Sequence, residues 1–219
     1  MTSHPRRLPL FPLNQVLFPN TSIPLQIFED RYKLLLHDCL DDDSRFGVVL
    51  IKRGPEVGEP AEPYPVGTVA HIVQVNEIDG GRYFVSATGI RRFRIDHITQ
   101  TRPYMAAEVE MLDEEDADAS EQASEFDVDA IRQSFSEYAR VISGIVGGWT
   151  RSTHVPSEPS ALSFHIADKL DLDLPEKQSL LEAFSATNRL EIELDILNRD
   201  TAVIRRRLRN EFLGRVGRQ

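Results

Sequence analysis

LPLFPLNQVLFPNTSIPLQIFEDRYKLLL, Leu8 to Leu36, sets a proline-punctuated apolar run directly against the start of a helix. The helix begins at Glu29 or Asp30, where an acid-rich first turn complements the positive end of the macrodipole. Its inner stripe is Tyr32, Leu35, Leu36 and Cys39, spaced three and four apart. The Asp41-Asp42-Asp43-Ser44 cluster ends it. Around this single helix, residues from about 8 to 112 read as strands. Val66, Val69, Ile72 and Val75 stand among polar neighbours, and Asp79-Gly80-Gly81 supplies the positive φ of a hairpin turn before Tyr83-Phe84-Val85. Gly89 interrupts the next strand ahead of Arg92-Phe93-Arg94-Ile95, the mark of a bulge or a corner in a curved sheet. Pro103 to Leu112 makes one more strand.

Beyond Leu112 the character changes. Asp113 to Glu125 is acidic, rich in Ala and Ser, and without apolar periodicity, as a solvated linker is. From residue 126 the period is 3.6. Phe126, Ile131, Phe135, Tyr138, Val141, Ile142 and Ile145 form an amphipathic helix stopped by Gly147-Gly148. Ser157 and Pro159 start a second, carrying Leu162, Ile166 and Leu170, and Asp173, Pro175 and Glu176 open a third, carrying Leu180, Leu181 and Phe184. In the last and longest helix, Leu190, Leu194, Leu197, Thr201, Ile204 and Leu208 repeat at steps of four and three, the spacing of one buried seam. A second row, Ile192, Ile196 and Val203, widens the stripe and predicts packing onto neighbouring helices rather than a dimer seam.

The opening segment, together with Phe46-Gly47-Val48-Val49, Val66-Gly67-Thr68 and Gly89-Ile90-Arg91-Arg92-Phe93 in that order, resembles the N-terminal substrate-binding domain of Lon proteases over nearly the whole chain. The resemblance implies an α+β architecture: a PUA-like β-barrel domain with one embedded helix over 1–112, the linker 113–125, and a helical bundle over 126–219. It also implies recognition of unfolded or damaged polypeptides, so a noncatalytic binding or adaptor protein is expected, resembling the peptidase family without its chemistry and working with a separate ATP-dependent protease. Its signature residues, Phe18, Pro19, Phe28, Glu29, Arg31, Tyr32, Gly67, Gly89, Arg92 and Phe93, are expected to be structural. Phe28 should enter the barrel core. Glu29 and Arg31 should pin the helix to the sheet, with Arg92 as a possible partner.

Catalysis finds no support among the motifs. Lys33, Lys52, Lys169 and Lys177 each lack a preceding Gly and a following Ser or Thr, so a phosphate-cradling loop that ends in Gly-Lys-Ser/Thr cannot be built. There is no Gly-x-Ser-x-Gly elbow. No His-Glu-x-x-His occurs and Cys39 is alone, so neither metal nor cofactor is expected. His165 and Asp168, three apart, read as a local side-chain pair. A lone cysteine fits a reducing compartment, hence the cytoplasm, and no run approaches the roughly 18 apolar residues of a membrane span.

For binding, Tyr83, Tyr104 and Trp149 are the candidate polypeptide anchors. Trp149 follows two glycines in a loop, and aromatic side chains dominate interface energetics. The alternative is RNA, read by Arg91, Arg92, Arg94 and Arg102 with Phe93 or Tyr104 stacking on bases. A net charge of -10 argues against it, because phosphate binding draws on surplus cations. The terminal arginines from Arg205 onward either complement the C-terminal dipole of the last helix or dock on the acidic Asp113 to Asp129 segment or an acidic partner, and the sequence favours the first.

Overall fold

The structure is a computed structural model that describes residues 6–113, 127–146 and 155–216. Seven strands and five helices follow in the order β1 (Arg6–Leu13), β2 (Ser22–Ile27), α1 (Asp30–Asp41), β3 (Arg45–Arg53), β4 (Glu62–Pro63), β5 (Val66–Ile78), β6 (Arg82–Gln100), β7 (Met105–Met111), α2 (Val128–Val146), α3 (Pro159–Lys169), α4 (Leu174–Glu182) and α5 (Ala186–Val216). The strands form one large, mostly antiparallel sheet, and the parallel pair is β1 with β3. Because β1 pairs β7 on one side and β3 on the other, the pairing path β1-β7-β6-β5-β3 returns to β1. The short β4 lies on β3, and β2 pairs β6 outside this circuit.

One strand makes the circuit possible. The 19-residue β6 pairs β2 and β5 through its first half and β7 through its second. Register shifts bend it: Val69 faces Arg91 while Ala70 faces Gly89, which leaves Ile90 as an extra residue. The hairpin into β6 turns at Gly80 and Gly81, with φ of 82° and 63°. Close approach explains two signature glycines. A Cβ on Gly67 would lie 2.4 Å from the Val48 carbonyl oxygen, and one on Gly89 would lie 2.4 Å from that of Phe18. The fully buried Phe93 ring lies over both Gly47 and Gly67. Phe18 and Pro19 are buried where the β1–β2 connection crosses the sheet. There the Thr68 hydroxyl donates to the Leu17 carbonyl at 2.6 Å, and Asn20 N and Gly89 N bond across to Gly89 O and Thr21 O.

The α1 stripe is buried as its spacing predicts, in a cluster with Phe11, Leu25, Phe46 and Val85. Tyr104 belongs to the same core, and its hydroxyl donates to Asp38 on α1.

The chain divides into two compact units, Met1–Glu114 with Ala167–Glu182, and Glu115–Ile166 with Ala183–Gln219. Residues 167–182 are tied to the strands of the first unit by polar contacts: buried Gln178 on α4 donates to the Val66 carbonyl at 3.0 Å, and buried Arg92 on β6 donates to the Leu181 carbonyl at 2.8 Å. Asp173 and Glu176 form the reciprocal capping box at the start of α4. Phe184 is not part of that helix and is 70% exposed, contrary to the expectation.

In the second unit α2 packs on α5 through faces that include Ile131, Phe135 and Tyr138 on α2 and Leu190 and Leu197 on α5, all buried. The second row expected on α5 is corrected here: Ile192 and Val203 are 41% and 62% exposed. Arg189 and Glu193 are buried in their place. Arg189 donates to the Ser163 hydroxyl at 2.8 Å and lies 3.8 Å over the Phe164 ring, so its charge is held by a polar atom and a π face. His165 does not pair with Asp168 as expected: its ring meets Phe135 edge-on, and Asp168 pairs with Lys169. Of the terminal arginines, Arg205 pairs with Glu137 on α2.

Candidate functional site

Strand parity is the starting point. In β2 the side chains alternate out and in, with Ile23, Leu25 and Ile27 buried and Ser22, Pro24 and Gln26 exposed. Phe28 comes next and therefore faces outward, 49% exposed, not inward to the core. Alternation in PLQIF carried that signal, because Ile27 inward requires Phe28 outward.

Glu29 and Arg31 pair with each other, Arg31 Nε and Nη2 donating to the carboxylate at 3.1 and 3.2 Å. They do not engage Arg92, which is occupied by α4. They hold the loop after β3: Gly58 N donates to Glu29 at 3.0 Å, and Arg31 donates to the Glu56 carbonyl at 3.2 Å. Gly58 has φ of 92°, a conformation that costs a side chain-bearing residue about 1 kcal/mol or more. The loop thereby presents Val57 to solvent at 55% exposure. The Tyr32 ring is stacked on Phe11 at 4.0 Å between centroids, with the Arg31 guanidinium 4.4 Å from its own centroid. Burial pushes the Tyr32 hydroxyl up to about 12, so it stays neutral.

Between these elements lies a groove of about 220 Å³. Buried Phe11, Leu13, Leu25 and Tyr32 form its floor, while Phe28 and Val57 stand exposed along it. Asn14, Gln26 and Glu56 supply polar atoms at its margin. Its chemistry is that of a recognition site: an apolar floor with a few fixed hydrogen-bonding groups. Beside it, β2 pairs with β6 alone among the described residues. Pro24 sits in this edge strand, and a proline there removes one of the N–H donors that an added strand would use.

The anchors inferred from sequence lie elsewhere. Tyr104 is 9% exposed in the core. Tyr83 is half-buried with its ring edge-on to His37, and it does not line the groove. Trp149 lies outside the described residues, as do residues 114–125 of the linker. The RNA-reading set is dispersed: Phe93 and Arg92 are buried, and Arg91 is engaged by Asp113 and the Leu112 carbonyl. Stacking on bases is closed to Phe93 and Tyr104, because both rings are packed inside. Sequence reasoning also missed one cluster of possible metal donors, exposed Asp96 and His97 with Glu108. Its spacing is not sequential. It arises from the β6–β7 register, where His97 faces Glu108 beside a bulge. Among the described residues no helix is long and apolar enough to cross a membrane.

A mixed α/β fold with a sheet that closes its pairing circuit and an apolar groove beside its first helix belongs to the class of Lon N-terminal domain folds. The family model for the ATP-dependent protease La (LON) substrate-binding domain matches residues 7–199, and the chain belongs to that family. It is 30% identical over 207 residues to Lon protease 2 of Myxococcus xanthus, covering 92% of this chain and 24% of that protein, and 28% identical to the Lon protease of Brevibacillus choshinensis, covering 26% of it. The chain thus spans about a quarter of the length of the curated relatives it matches. Among solved structures, a Lon N-terminal domain protein from Xanthomonas campestris aligns with a TM-score of 0.65 at 26% identity, over 87% of this chain and 98% of that one. The N-terminal domain of the Mycobacterium avium complex Lon protease shares the fold, with a TM-score of 0.61 at 19% identity, over 88% and 98%.

Proposed function

We propose that this protein binds extended, apolar segments of unfolded or damaged polypeptides in the groove between β2, α1 and the loop at Val57. It performs no covalent chemistry and serves as an adaptor that hands clients to a separate ATP-dependent protease in the cytoplasm. In this reading the closed strand circuit is a PUA-like barrel, the acidic stretch separates it from a helical bundle, and Trp149 remains a further candidate contact.

One observation carries the reading: two large apolar side chains, Phe28 and Val57, stand half-exposed over an apolar floor while the loop at Val57 is held by a hydrogen bond from Gly58 N to Glu29 and one from Arg31 to the Glu56 carbonyl. Side chains set in water at that cost indicate a partner. Family membership supports a polypeptide as that partner. Recognition works through side chains in the groove, since Pro24 weakens strand addition at the neighbouring edge.

The test is fluorescence anisotropy with a labelled, permanently unfolded polypeptide such as carboxymethylated α-lactalbumin. Covering the exposed parts of Phe28 and Val57 is worth about 2 kcal/mol, or roughly 30-fold in Kd. The double variant Phe28→Ser, Val57→Ser should lose that much affinity and keep its wild-type circular dichroism. Equal binding by the two proteins would remove the groove from the function.

A further inference from the structure

The two carboxylates of the groove are not equivalent. Glu29 is neutralised, with two contacts from the Arg31 guanidinium and one from Gly58 N. Glu56 is half-buried, and its side chain takes a hydrogen bond at 2.8 Å from the neutral Asn14 amide. Among the described residues no cation pairs with the Glu56 carboxylate, and the Arg31 charge next to it is taken by Glu29. Exposed Glu59, on the same loop, adds charge of the same sign.

We infer that Glu56 makes the groove selective for segments in which an apolar side chain lies next to a lysine or arginine. This rests on the polypeptide-binding reading. An apolar residue seated between Phe28 and Val57 excludes water from one side of the Glu56 carboxylate. That lowers the local dielectric and strengthens its attraction for a cation placed beside it. The Asn14 amide fixes the carboxylate without neutralising it, so an arriving ammonium or guanidinium meets an oriented acceptor. An acidic neighbour in the same place is repelled, by Glu56 directly and by the net charge of -10 at longer range. The groove therefore sorts clients by charge as well as by hydrophobicity.

Three labelled peptides with one apolar core, flanked by Lys, by Gly or by Glu, are titrated against the full chain at low salt. The expected order is Lys tighter than Gly and Gly tighter than Glu, each step about 3- to 5-fold. The steps should shrink toward unity at about 1 M salt, where the screening length falls to roughly 3 Å. Glu56→Gln should collapse the Lys-to-Gly ratio, whereas Phe28→Ser should weaken all three peptides together. Measurable but equal affinities in the wild type, or a ratio that survives Glu56→Gln, would overturn the selectivity and leave the polypeptide reading standing. Failure of all three to bind would overturn both. A dimer seen by sedimentation and dissolved by Phe28→Ser would assign the groove to a second copy of the chain and also overturn the inference.

Discussion

Glu193 has no accessible surface, and neither carboxylate oxygen meets a hydrogen-bond partner among the described residues. Burial pushes its carboxyl up from 4.5 to about 9, against a smaller opposing pull from Arg189 one turn earlier. Below pH 4.5 the group is protonated in both folded and unfolded chains, and its burial carries no ionisation cost. Above that pH the unfolded chain releases the proton and the folded chain keeps it, so stability falls as pH rises until the folded value is passed. The loss is about 1.4 kcal/mol per pH unit, which reaches about 3 kcal/mol by pH 7. Glu193→Gln keeps the shape and removes the titration. The difference in unfolding free energy between variant and wild type should therefore grow with pH in favour of the variant, from under about 1 kcal/mol at pH 5 to about 3 kcal/mol at pH 7. Urea unfolding followed by far-ultraviolet circular dichroism at pH 5, 6, 7 and 8 measures it, and other titrating groups cancel in the comparison. A variant less stable than wild type by a constant amount across that range would mean that Glu193 is ionised and held by Arg189, and the reasoning from burial would be wrong.

Gly67→Ala forces a Cβ to within 2.4 Å of the Val48 carbonyl and 2.9 Å of Phe93, so the loss of stability should be about 2 kcal/mol or more. Gly81→Ala meets nothing within 4 Å and pays only for its φ of 63°, about 1 kcal/mol; thermal melts that rank the two the other way round would contradict the close-packing account. The hydrogen bond from the His97 ring to the Asp96 carboxylate raises His97 above its ordinary 6.5. Asp96→Asn should lower it in an NMR titration, and an unchanged midpoint would show that the 2.8 Å contact does not persist in solution.

Legibility in the sequence followed the range of the interaction. The α1 stripe, the Gly80-Gly81 hairpin, the bulge beside Gly89 and the Asp173–Glu176 capping box were all readable, because each is made by residues a few positions apart. The direction of Phe28 is readable too, from the alternation of β2, because Ile27 inward requires Phe28 outward. On α5 the apolar pattern pointed to Ile192 and Val203, and the structure buries Arg189 and Glu193 instead. Nothing local announces that, since Arg189 meets Ser163 and Phe164 on another helix.

By itself, then, the amino-acid sequence determined the elements, their order, the change from strands to helices and membership in the Lon substrate-binding family. Those depend on dihedral preference, periodicity and turn chemistry, which act over one or two turns of chain. Tertiary structure alone decided that α4 joins the sheet, that Tyr104 is buried in the core, and that Val57, Phe28 and the unneutralised Glu56 line one groove. Such juxtapositions bring together residues far apart in the chain, and their energy exists only once the strands have closed around the core that holds them in place.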